Sequence, residues 1–374
     1  MYISSNPILP VRSLLWPNGN FADRNSPFID SRVYEYSRGR EALADFVRAA
    51  GMKPGDSILL PAYICPAVLD PFEKLGIKIL FYPIDESFEP DLKAIREQFL
   101  QKPRAILIVR YFGFAPAVQT LIQECREHGL WIIEDCAHTL PSGDKSVDAS
   151  FGDLTIYSLP KLLPLPDGAL AVVNNRDLVW PEPPKKTNKR LTRINSLWQI
   201  ANTTEVLAGA SLRTRLRDNR RTSAMITDLR ESPAANVGSH SYSRFQMSGT
   251  SRWINRKIDL ALVILRRKEN YKRLLAATKS INGVRAAFGD LKPTAAPLGF
   301  PIIVSNREAV RSKLISAGVD PRPIWSALPS QVPTDGFAIA RHIATHNVVL
   351  PVHQDLTPEA LAHITSALNR AVAP

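Results

Sequence analysis

The chain reads as an α/β protein: a mostly parallel central sheet covered by helices on both faces, followed by a smaller α/β unit. Three observations predict this. Short, unbroken apolar runs alternate with amphipathic helical segments from residue 57 to residue 173, at a spacing of ~20–30 residues, as buried parallel strands and their crossover helices require. A second strand–helix–strand–helix pattern closes the chain after residue 298. At 374 residues the chain also exceeds the length at which one hydrophobic core stops growing, so two units are expected.

Taken in order, residues 1–30 are rich in Pro, Asn and Ser and predict an extended arm. Leu43, Phe46 and Val47 follow helical spacing, and Ser37 and Gly39 stand where that helix begins. Free N–H groups at such an N-terminus suit a phosphate. Strands are expected at 57–60, 77–82, 104–109, 132–133, 154–158 and 169–173. Helices are expected at 66–75, closed by Gly76, at 91–100, and at 119–128, closed by Gly129. Beyond Asn175 the pattern weakens: Pro181, Pro183 and Pro184 interrupt it, 196–207 is helical, and the rest of 180–249 carries no periodicity. The spacing then predicts one long helix over 251–279 with Ile254, Ile258, Leu262 and Leu265 on its apolar face. A strand at 299–304, a helix at 307–317 ended by Gly318, a strand at 348–350 and a helix at 358–372 capped by Thr357 complete the chain. The expected organisation is an arm at 1–30, a large domain at 31–245 with a basic insertion at 180–225, and a small domain at 246–374.

The net charge of +12 is concentrated. Lys185, Lys186, Lys189, Arg190, Arg193, Arg213, Arg215, Arg217, Arg220 and Arg221 are opposed only by Glu205 and Asp218. Such a field attracts anions, but no recognition helix, zinc finger or aromatic-interleaved motif accompanies it, so a nucleic-acid partner is not expected. No stretch approaches the ~20 apolar residues of a membrane span, and the N-terminus lacks the apolar core of a secretory signal. Cys65, Cys125 and Cys136 show no metal-ligand spacing, which predicts no metal site, no disulfide framework and a cytoplasmic home.

The stretch 131–175 carries the chemistry. One apolar run ends in Glu134 and Asp135; another, 154–158, is followed within three residues by Lys161, and then by Asp167 and Gly168. An acid at one strand end and a lysine just past another are what pyridoxal 5′-phosphate requires. The lysine forms a Schiff base with the cofactor aldehyde, and the acid keeps the pyridine nitrogen protonated.

These pieces, in their order, resemble the DegT/StrS family of pyridoxal phosphate enzymes, which share the three-layer aspartate aminotransferase architecture of fold type I. The resemblance rests on GREAL (39–43), KPGD leading into LLPAYICPAV, Tyr111-Phe112-Gly113, Glu134-Asp135-Cys136-Ala137-His138 and Ser158-Leu159-Pro160-Lys161. PLGFPIIVSNREAV and VVLPVHQDLTPEAL near the C-terminus add to it. It implies that Lys161 carries the cofactor, that Asp135 bonds the pyridinium, and that His138 sits near the phenolic oxygen. It also implies that Ser158, with the backbone N–H groups of Gly39, Arg40 and Glu41, holds the phosphate. Tyr63 or an aliphatic neighbour would cover the ring.

A homodimer with a shared site is implied, in which Ser251 and Arg252 stand where relatives present a phosphate contact to the partner subunit within a Gly-x-Asn-x-Arg motif. This chain has Met247-Ser248-Gly249-Thr250-Ser251-Arg252-Trp253 instead. The activity implied is transfer of an amino group, from glutamate in this family, to a keto or aldehyde acceptor such as a sugar. Other carbanion chemistry on the same cofactor, such as dehydration, and a non-catalytic ligand-binding relative are the alternatives.

Overall fold

In a computed structural model, described over residues 1–10, 14, 32–141, 150–209, 242–293, 295–321 and 324–373, a seven-stranded sheet forms the large unit. Its strands are β1 (Arg32–Tyr36), β2 (Ser57–Pro61), β3 (Lys78–Tyr82), β4 (Ala105–Val109), β5 (Trp131–Cys136), β6 (Leu154–Ser158) and β7 (Ala169–Val173), in the order β1-β7-β6-β5-β4-β2-β3. From β3 to β6 every pairing is parallel; β7 runs antiparallel to β6, and β1 antiparallel to β7. The apolar runs are continuous because both faces are covered: every residue of β4 is buried.

The crossover helices are α1 (Gly39–Ala49), α2 (Pro66–Lys74), α3 (Leu92–Gln98) and α4 (Gln119–Glu127). Asp91 caps α3 by accepting from the Ala94 N–H. Between β4 and α4, Tyr111-Phe112-Gly113 turns sharply. Gly113 has φ +94°, and a Cβ there would meet the Ala296 carbonyl oxygen at 2.3 Å, so only glycine fits.

Beneath the sheet's carboxyl end lies a buried ion pair. Glu134 accepts from Arg110 Nε and, on its other oxygen, from Ser150 Oγ at 2.8 Å. It ties the segment after β4 to β5 and to the turn before β6.

The second sheet has the order β10-β9-β8, all antiparallel: β8 (Val284–Ala286), β9 (Phe300–Val304) and β10 (Asn347–Leu350). Between the sheets come α5 (Lys189–Leu207), α6 (Gly249–Asn255) and α7 (Leu260–Thr278); α8 (Arg307–Ser316), α9 (Ala338–His346) and α10 (Pro358–Val372) follow. Thr357 caps α10 as expected, accepting from Ala360 N–H at 3.2 Å.

Several expectations are corrected. The long helix over 251–279 is two helices, because Asp259 starts α7 as its cap, accepting from the Leu262 N–H at 3.0 Å. The break resets the helical phase: Leu262 and Leu265 are exposed, and Val263, Ile264, Tyr271 and Leu274 face inward. Helix α5 begins at Lys189, capped by Asn188, rather than at 196. The strand β1 and the helix α9 were not expected. Of the arm, residues 1–10 are anchored: Ile3 forms a parallel bridge to Val319, and Ser4 Oγ donates to Asn202 Oδ1 at 2.7 Å. Within the basic insertion, Lys185, Lys186, Lys189, Arg190 and Arg193 are exposed, whereas Arg213 to Arg221 lie outside the described residues.

Two stability predictions follow from buried charges. Glu134→Ala leaves Arg110 buried without its carboxylate and is expected to cost about 3–5 kcal/mol, read as a lower urea midpoint at unchanged slope. Glu41, in the first turn of α1, is pushed by burial from the ordinary 4.5 up to about 8 while its carboxyl accepts from the Phe245 N–H. The folded state therefore binds the proton more tightly than the unfolded chain. That contribution is full below about 4.5 and is lost as pH rises through about 8. Glu41→Gln, which keeps an acceptor for Phe245, should flatten this fall when urea midpoints are compared at pH about 5 and about 8.5.

Candidate active site

The carboxyl ends of β5 and β6 and the start of α1 meet at one cavity of about 570 Å³. Asp135 is the penultimate residue of β5 and sits opposite Ile156 of β6. Two residues beyond Ile156, β6 ends at Ser158, and a single turn of 3-10 helix delivers Lys161. Asp135, His138, Ser158 and Lys161 all line the cavity, at the strand ends where open α/β sheets bind ligands.

Burial raises the Asp135 carboxyl above the usual carboxylate range; the Lys161 ammonium and a 2.9 Å hydrogen bond from the Ala137 N–H oppose that shift. His138 is held well below the ordinary imidazole range by burial first and by Lys161 second. Its Nδ1 accepts from the Phe112 N–H at 3.2 Å, which leaves the proton on Nε2. The His138 ring stacks on Trp325, centroids 4.9 Å apart, and Lys161 Nζ lies 5.9 Å from the same indole. Trp325 was not expected. It sits at φ +48°, a conformation that costs a bulky residue energy, and nothing in its sequence neighbourhood signals that.

The other end of the cavity suits an anion. The chain leaves β1, and α1 turns back over β7 and β6 so closely that a Cβ on Gly39 would meet Ile156 Cγ2 at 3.1 Å. Ser37, Arg38, Gly39 and Arg40 all line the cavity. Ser37 Oγ is buried with no hydrogen-bond partner among the described residues, and no side chain caps α1. A buried hydroxyl lacking a partner, a helix N-terminus and two guanidinium groups form a donor set for a phosphate. Together with a buried acid and an amine beyond it, the set fits pyridoxal phosphate.

Four expected contacts fall elsewhere. The Glu41 N–H is taken by the Arg38 carbonyl at 3.1 Å, and Glu41 does not line the cavity. Tyr63 is fully buried beside it: its hydroxyl donates to the Ile324 carbonyl, and its ring stacks on Tyr111 at 5.7 Å. Cys65 of the same loop, with Ala67 and Val68 in the first turn of α2, reaches the cavity instead. Ser251 is not at an open surface. Its hydroxyl donates to Asp167 Oδ1, which also accepts from Ser248 Oγ at 2.7 Å, so this serine holds a cavity-lining acid rather than reaching outward. Arg252 likewise donates to Glu35 and Gln246 of its own chain.

Beyond the expected residues, α5 forms a wall of the cavity. Leu191, Asn195, Trp198, Gln199 and Asn202 share one helical face and line it, and Ser5 and Asn6 of the arm close its far side. The amide-rich face lacks the apolar periodicity by which such a helix is recognised.

The model of the DegT/DnrJ/EryC1/StrS aminotransferase family matches residues 32–179. GDP-perosamine synthase of Vibrio cholerae is 30% identical over 148 residues, 38% of this chain and 40% of that protein. The dTDP-4-dehydro-2,3,6-trideoxy-D-glucose 4-aminotransferase of Saccharopolyspora spinosa is 29% identical over 143 residues, 37% of each. The chain thus spans about two fifths of the length of the curated relatives it matches. Among solved structures, PseC of Helicobacter pylori, an aminotransferase involved in the biosynthesis of pseudoaminic acid, aligns with a TM-score of 0.68 at 14% identity, over 100% of this chain and 99% of its own. DesV of S. venezuelae, solved with a ketimine intermediate, gives 0.68 at 16% identity, over 94% and 88%. These likenesses extend the fold to the whole chain. Over residues 32–179 the chain is similar to the DegT/DnrJ/EryC1/StrS aminotransferase family.

Proposed function

We propose that the chain is a pyridoxal phosphate-dependent aminotransferase that moves an amino group from an amino acid, glutamate in the first instance, to the keto group of a sugar or sugar-like acceptor in nucleotide-sugar or secondary-metabolite biosynthesis. The observation that carries the reading is the convergence of Lys161, Asp135 and the anion-binding end at Ser37 to Arg40 on one cavity. The matched relatives are named GDP-perosamine synthase and dTDP-4-dehydro-2,3,6-trideoxy-D-glucose 4-aminotransferase, which supports the acceptor class.

When bound, the cofactor supplies an electron sink that stabilises negative charge at the substrate Cα. Arg38, Arg40, Ser37 and Ser158 would hold its phosphate. Asp135, its upward shift by burial opposed by Lys161, would hold a proton on the ring nitrogen. Lys161 would anchor the cofactor and, once displaced by the donor amine, carry the proton from Cα. His138 Nε2–H would donate to the ring's phenolic oxygen, and its neutrality lets it do so without adding charge.

A homodimer is part of the reading. Leu197, Ile200 and Leu207 on the outer face of α5, and Trp253, Leu262 and Leu265 on α6 and α7, are exposed apolar side chains that a second copy would cover. Three free cysteines agree with a reducing, cytoplasmic setting.

Lys161→Ala should abolish the visible absorbance of the bound cofactor and lower turnover by about 10³-fold or more; a purified variant that kept both would overturn the assignment. Asp135→Asn should retain the cofactor by absorbance and mass while turnover falls by about 10²–10⁴-fold, since the amide cannot hold the ring nitrogen charged.

A further inference from the structure

We propose that α5, with the first residues of the chain, is the wall that selects the amino-group acceptor, through the indole of Trp198 and the amides of Asn195 and Gln199. This deepens the aminotransferase reading and rests on it.

The cavity is longer than its chemical end. Asp135, Lys161 and the Ser37–Arg40 donors account for one side, and α5 faces them from the other. Cavities of this volume hold a cofactor together with a second molecule. On α5 the lining residues fall at i, i+4, i+7, i+8 and i+11, so one stripe of the helix meets the second molecule.

The stripe has a chemical character. Asn195 Nδ2 donates to the Pro166 carbonyl at 2.6 Å, which fixes that amide beside the loop carrying Lys161. Gln199 Oε1 is buried with no partner among the described residues, an acceptor that a substrate hydroxyl would satisfy. Trp198 adds a flat apolar face between the two amides, suited to the C–H face of a saturated ring. An aromatic plane flanked by amides recognises a ring bearing several hydroxyls. A wall whose acceptor is otherwise unmet also rejects analogues lacking the hydroxyl.

The wall is braced, as a selecting surface must be. Ser4 Oγ donates to Asn202 Oδ1 at 2.7 Å, Asn202 Nδ2 donates to the Pro7 carbonyl at 3.2 Å, and the Leu9 N–H donates to Thr203 Oγ1 at 3.0 Å. The arm therefore fixes the half of α5 farther from Lys161, and Asn195 fixes the nearer half.

The test uses the cofactor-loaded full chain and two keto probes: scyllo-inosose, a free polyhydroxylated ring, and a dTDP-linked 4-keto-6-deoxyhexose. The donor half of the cycle is followed separately as 2-oxo acid released from glutamate in a single turnover. The wild type should aminate at least one probe. Trp198→Ala and Gln199→Leu should each raise the probe concentration giving half-maximal rate by about tenfold or more, with the donor half slowed by less than about threefold. Trp198→Phe should restore most of the loss. Unchanged half-saturation in both variants, equal loss in both halves, or refusal of both probes by a wild type whose donor half proceeds would each overturn the proposal. A wild type that releases no 2-oxo acid from any amino donor would instead overturn the aminotransferase reading beneath it.

Discussion

Two consecutive carboxylates on one β-strand must point to opposite faces of the sheet. In β5 these are Glu134 and Asp135, both buried, and neither could stay charged in that position without a cation of its own. The strand order supplies one from each side. Arg110, the residue after β4, meets Glu134, and Lys161, just after β6, faces Asp135. The first pair is structural and closes the sheet's underside with Ser150 and Thr155. The second lies in the cavity, where its charges are available to a ligand. Placing β5 between β4 and β6 is thus what lets the sheet bury two acids side by side and use only one.

What was legible in the sequence follows from how much of each signal is local. Continuous apolar runs such as AILIV and SILLP mark buried parallel strands, and they fall where expected. Asp135, Lys161, Ser158 and Gly39 were legible because each lies at or within three residues of a strand or helix end, and strand ends converge in this architecture. β1 was not, since RVYEY mixes charges with apolar residues on an edge strand half open to solvent. The helix break at Asp259 was missed because periodicity counted from Ile254 runs on through a cap. Tyr63 was misplaced for a different reason: its hydroxyl partner, the Ile324 carbonyl, is 261 residues away in the chain, and no local pattern reports such a contact.

The cavity is composite in the same sense. Its anion-binding end is built on the sheet and on α1, within the segment that carries the family likeness. Its opposite wall comes from α5, of which only 196–207 is legible as a helix, and the usual Gly-x-Asn-x-Arg motif is replaced farther along the chain. Met247 to Trp253 do something else here: Ser248 caps α6, and with Ser251 it clamps Asp167 at the cavity rim. The acid, the lysine and the anion-binding end therefore occupy different elements from the opposite wall of the cavity.

The arm joins more than its length suggests. Ile3 is hydrogen-bonded on one side to the Gly318 carbonyl and on the other to the Asp320 N–H, His353 reaches the Ser4 carbonyl, and the next bond along, from Ser4, goes to α5. A few residues of extended backbone therefore tie the C-terminal unit, like a rod, to the helix on the far side of the cavity. Gly318, where a Cβ would strike the Met1 carbonyl oxygen at 2.2 Å, is the joint at which that rod is fastened.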